Sequence, residues 1–106
     1  MAEKTSDRFA LAVAYGALAE ALAQDRAASE RAQAEEAMAQ SIRLFKEIEF
    51  NPELARTYVS YACLLQGWRE DSQAKSYLTQ AIAMFQAMDM EWDLARAEAM
   101  LATGRD

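Results

Sequence analysis

The sequence predicts an all-α fold of stacked helical hairpins, and three observations carry that prediction. The 106 residues include 24 alanines against nine β-branched residues (two Val, three Ile, four Thr), with only three Gly and one Pro. Alanine is the best helix former and β-branched residues are the usual strand material, so a sheet protein is disfavoured from the outset. Apolar residues recur three or four positions apart along most of the chain, the period of an amphipathic helix. The pattern then repeats after about 40 residues, with two helices in each interval, which is the mark of a stacked helical repeat.

Five helices are expected, near 6–24, 29–49, 52–67, 71–89 and 91–103. Ser6-Asp7 can cap the first, whose apolar positions run Phe9, Val13, Leu18 and Leu22. Local signals leave residues 24–33 open between a turn and a straight continuation, since no Gly or Pro interrupts them. Asn51-Pro52-Glu53 is a strong helix start: Asn at the cap, Pro in the first turn and an acid near the positive dipole end. That helix carries Leu54, Tyr58, Tyr61, Ala62 and Leu65 in register, and Gly67 supplies a stop. Glu70-Asp71-Ser72 opens the fourth helix, with Ala74, Tyr77, Leu78, Ala81, Ile82 and Phe85 on its apolar stripe. The fifth begins near Glu91 and ends before Gly104.

Internal repetition favours a turn in 24–33. At an offset of 40, Ala34 falls on Ala74, Gln40 on Gln80, Ile42 on Ile82 and Phe45 on Phe85, and Leu54-Ala55-Arg56 falls on Leu94-Ala95-Arg96. At an offset of 43, Leu11-Ala12 falls on Leu54-Ala55, Tyr15 on Tyr58, Ala19 on Ala62 and Leu22 on Leu65. The first interval is thus the second with three extra residues between its helices.

The spacing within each interval resembles the tetratricopeptide repeat. Large and small residues of that pattern fall on Tyr58, Tyr61-Ala62, Leu65, Ala74, Leu78 and Ala81, and in the first interval on Tyr15, Leu18-Ala19, Leu22, Ala34, Met38 and Ser41. Small residues let antiparallel helices approach, and large ones fill the grooves. The resemblance covers about residues 8–103 and implies one domain over 1–106: a right-handed α-α superhelix of about two and a half repeats (8–50, 51–90, and a half repeat or capping helix at 91–103). The period is nearer 40 than the family's usual length of about 34, and the proline that usually follows the second helix is missing. The extended second helices look like the longer repeats of bacterial signalling proteins, so the chain is expected to be a module or a segment of a larger regulatory protein.

Charge and composition exclude several functions. Eleven basic and 17 acidic residues give a formal charge of −6, which repels nucleic acid and anionic membrane surfaces. Histidine is absent, removing the commonest general base and metal ligand. A single cysteine, Cys63, cannot form an internal disulfide. With no apolar signal region and no membrane-length apolar run, a cytoplasmic location is expected. Glu35-Glu36 and Glu47/Glu49 are read as solvated helix faces, and no phosphate loop, nucleophile–base pair or metal-ligand spacing is found. The expectation is a non-enzymatic chain with no cofactor and no metal.

The resemblance implies a concave face lined by the first helix of each repeat, which binds a protein or peptide partner. Stepping from the matched positions places Val13, Gly16, Glu20 and Gln24 there, then Arg56, Val59, Cys63 and Gln66, then Arg96 and Ala99. Arg56 and Arg96 occupy equivalent positions, so two guanidinium groups are available to grip a carboxylate. The competing reading pairs each Arg with an acid three residues earlier on its own helix, Glu53 or Asp93. The Lys and Asn set with which family members grip chaperone C-termini is absent. Trp68, in an inter-helix turn, is expected to be partly exposed and is the preferred aromatic contact, while Met90 and Trp92 lie at a helix junction and their role stays open. The fifth helix lacks a partner, so its Leu94, Met100 and Leu101 face is expected to be uncovered. It serves as a cap, pairs with a second copy as a homodimer, or meets a helix of a longer chain; capping with self-association is preferred.

Overall fold

The computed structural model describes the backbone of residues 2–23 and 28–103, and the side chains of 7–23 and 30–102. Those residues form five α-helices: α1 Ala2–Ala23, α2 Ala28–Glu47, α3 Asn51–Gly67, α4 Asp71–Ala87 and α5 Glu91–Thr103. No strand occurs among the described residues. They divide into two compact units, 1–50 and 51–106.

In the first unit α1 and α2 lie side by side and antiparallel. Partner numbers fall along α2 as they rise along α1: Arg8 meets Glu47 at 3.4 Å, the Phe9 and Phe45 ring centroids are 5.6 Å apart, and Ala12 meets Ser41. α1 and α2 are therefore separate helices of opposite direction, and a straight helix from Ser6 to Phe50 is excluded; residues 24–27, with Gln24, lie outside the described residues. Close approach comes from small side chains. Ala12, Ala19 and Ala34 are fully buried. Ser41 donates its Oγ–H to the Ala12 carbonyl at 2.7 Å, which satisfies the one buried polar side chain of this interface. Phe45 and Met38 fill the space alongside, and the Phe9 ring stands edge-on to both Phe45 and Phe50.

The second unit packs α3 against α4 and α4 against α5. Ala55, Ala62, Ala74, Ala81 and Ala97 are buried at its contacts, with Leu65, Leu78 and Phe85 between them. The Tyr77 ring of α4 lies 5.4 Å from Tyr58 and 4.8 Å from Tyr61 of α3. Arg56 reaches Asp93 and Gln66 reaches Met100, so α3 and α5 run parallel.

Three helix ends share one device. Phe50 N–H donates to the Phe45 carbonyl (3.1 Å), Glu70 N–H to Leu65 (2.8 Å) and Met90 N–H to Phe85 (3.0 Å). In each, the residue before the donor is left-handed: Glu49 at φ 55°, Arg69 at 65° and Asp89 at 55°. This six-to-one closure is the Schellman motif, which normally carries Gly at the left-handed position. Glu49 and Asp89 end α2 and α4 two residues before the expected 49 and 89. α3 ends at Gly67 as expected, but Gly67 is helical with no positive φ, and the left-handed residue that completes the closure is Arg69. α1 also begins at Ala2, four residues before the Ser6-Asp7 cap expected for it. The Gly104 stop expected after α5 lies outside the described residues.

Candidate functional site

The predicted partner-binding residues divide by exposure. On α1, Val13 is 47% exposed and Glu20 is exposed. Gly16 is half-buried, and a Cβ placed there would stand 3.5 Å from the Ser41 Oγ, so it belongs to the α1–α2 contact and not to an open face. On α3, Arg56 and Cys63 are exposed, while Val59 is buried at 8% and belongs to the core. Gln66 is half-buried and donates its Nε2–H to the Met100 carbonyl at 3.3 Å, a tie within the unit. On α5, Arg96 and Ala99 are exposed.

Arg56 is the electrostatic centre of the second unit. It donates from Nε and Nη2 to the Asp93 carboxylate at 3.4 and 3.2 Å and from Nη1 to Glu53 at 2.7 Å. The hydrogen bond to Asp93 is the largest influence and raises its pKa above the ordinary arginine value; burial opposes it, and the hydrogen bond to Glu53 adds to the rise. Asp93 is only 13% exposed at its side chain. The pairing of Arg56 with Glu53 three residues earlier is present. Asp93, however, is held by Arg56 across the α3–α5 contact and not by Arg96. Arg96 lies over the Trp92 ring, 5.8 Å from its centroid. The two guanidinium groups thus have different surroundings: Arg56 is held between two carboxylates and Arg96 rests on an aromatic face.

Two further features come from the structure. Trp92 is 72% exposed, the largest exposure among the big apolar side chains described, while Trp68 is half-buried, in line with the partial exposure expected of it; Trp92 is the more exposed of the two tryptophans. On the first unit an open groove of about 500 Å³ runs between the helices, with Tyr15, Leu18 and Leu22 on one wall and Gln33, Glu36 and Ala37 on the other. Leu18, placed in the repeat pattern as a packing residue, is 48% exposed there. The reason is legible across the repeat: Ala37 stands where the second unit has Tyr77, whose ring covers Tyr58 and Tyr61. The α5 face expected to be uncovered is partly covered, since Leu94, Met100 and Leu101 are all half-buried and Ala97 is fully buried.

Among the described residues, no group of three or more acidic, Cys or His side chains is placed to hold a metal ion, and no buried side-chain nitrogen or oxygen lacks a hydrogen bond. No helix among them is long and apolar enough to cross a membrane. No family model matches the chain, and no curated protein and no solved structure matches it either.

Proposed function

We propose that this chain is a tetratricopeptide-like helical-repeat module of the right-handed type, which binds a peptide or partner domain along the first helices of its repeats and performs no catalysis itself. The observation that carries this reading is the division of labour on those helices. Ala12, Ala19, Ala55 and Ala62, which coincide at the 43-residue offset, are buried, whereas Val13, Glu20, Arg56, Cys63 and Arg96 remain at the surface. Side chains that do no packing are free to contact a ligand. The apolar Val13 and acidic Glu20 of α1, and the basic Arg96 of α5, suit a short peptide carrying both apolar and charged residues. The partner's grip does not rest on a double-arginine clamp, because Glu53 and Asp93 already occupy Arg56.

Selection from a displayed library of random peptides tests the reading. Enriched sequences that bind the wild type and lose at least about tenfold in affinity, or about 1.4 kcal/mol, on Val13→Glu and Cys63→Arg support it, provided both variants keep their helicity. Failure to enrich any sequence, or binding indifferent to both substitutions, refutes it.

A further inference from the structure

The groove of the first unit and the exposed tryptophan of the second are complementary, and we infer that Trp92 of one copy docks in the α1–α2 groove of another, so that the chain self-associates head to tail. The internal repeat supplies the template. In the second unit the equivalent space is filled by the Tyr77 ring, 5.4 Å from Tyr58 and 4.8 Å from Tyr61. In the first unit Tyr15 and Leu18 take the places of those two tyrosines, and Ala37 takes that of Tyr77. An aromatic ring is therefore missing from a site whose walls are otherwise retained, leaving about 500 Å³ open.

The chain carries a ring suited to it. Trp92 is 72% exposed and bears Arg96 across its face at 5.8 Å. Seating the indole against Tyr15 and Leu18 buries apolar area on both sides. It also brings a cation to the exposed Glu36 on the groove wall, so charge as well as shape favours this occupant. The groove face of α1 is distinct from the face bearing Val13 and Glu20, which lie seven residues apart on one stripe. The groove side of the self-contact is therefore independent of the peptide-binding reading, and Arg96 of α5 is the residue the two share.

Donor and acceptor are different surfaces, so the contact is heterologous, and copies joined by it extend as a series or close into a ring. One tryptophan in a groove falls well short of a standard interface, which sets the expected dissociation constant near about 10⁻⁴ M. Sedimentation of the full chain over concentrations up to about 1 mM tests this range. The wild type should grow steadily in mass with concentration, and Trp92→Ala and Ala37→Tyr should each stay monomeric. Mixing those two variants is the sharp test: one keeps only the groove and the other only the tryptophan, so the mixture should form a 1:1 pair and stop there. If Ala37→Tyr loses helicity, Leu18→Lys replaces it, since that side chain is already half exposed. A wild type that is monomeric throughout, association that survives Trp92→Ala, or a mixture that stays monomeric would each overturn the inference.

Discussion

The glycine of the α3–α4 turn stands two residues from where the backbone needs it, and moving it should stabilise the protein. Arg69 sits at φ 65°, a left-handed conformation that costs a residue with a Cβ roughly 1 kcal/mol and a glycine almost nothing. Gly67 has no positive φ, closes α3 as a helical residue, and has no atom within 4 Å of where a Cβ would stand. Alanine there gains helix propensity and narrows the unfolded ensemble, about 0.5–1 kcal/mol. Arg69→Gly together with Gly67→Ala should therefore add about 1.5–2 kcal/mol. For a chain of this size that is a rise in Tm of roughly 6–12 °C. Urea unfolding followed by circular dichroism should show the same gain as a higher midpoint at unchanged slope. Each single variant should also stabilise, which separates the two causes, because substitutions two residues apart can couple. A double variant no more stable than the wild type would refute the assignment of Arg69 as the left-handed cap. A destabilised Gly67→Ala would refute the helical state of Gly67.

Three other outcomes follow from the packing and the charges. Phe45→Ala removes a ring that is 2% exposed and in edge contact with Phe9; it should cost about 3–5 kcal/mol, seen as a large fall in the urea midpoint, and a loss below about 1 kcal/mol would contradict the core assignment. Arg56→Ala leaves the mostly buried Asp93 without its ion pair and should cost about 1 kcal/mol, whereas Arg96→Ala, a surface substitution, should cost under about 0.5 kcal/mol; equal costs would show that the two arginines are not differently held. Cys63 is exposed and outside any disulfide, so a thiol reagent should label it in the native protein as fast as in the denatured one, and marked native-state protection would contradict its surface position.

What the sequence makes legible, and what it does not, follows from the range of the physics. Ala19, Ala34, Ala62, Ala74 and Ala81 were readable as close-approach points because steric size is written in the residue itself, and all five are buried. Phe45 and Phe85 were aligned by the 40-residue offset, and both are in the cores. The helix stops were not readable from composition: Glu49, Arg69 and Asp89 are left-handed because the chain must turn there, and none of them is a glycine. The partner of Asp93 was misjudged for a similar reason. The local rule looks three or four residues along one helix, but Arg56 lies 37 residues away and is brought to it by the parallel run of α3 and α5. Val59 and Gln66 were placed on an open face by stepping along an ideal helix, which ignores what α5 contributes: Gln66 is spent on Met100. The groove did have a sequence signal, since Ala37 against Tyr77 is visible once the repeats are superposed. It becomes informative only when the Tyr77 ring is seen to lie over Tyr58 and Tyr61.

If exposed first-helix residues bind the partner, amide chemical-shift mapping with a library-selected peptide should show saturable shifts at Val13 and Glu20 of the first unit and at Cys63 of the second, with the buried α2 and α4 positions Met38 and Leu78 unmoved. Shifts confined to other surfaces, or none at saturating peptide, would contradict it.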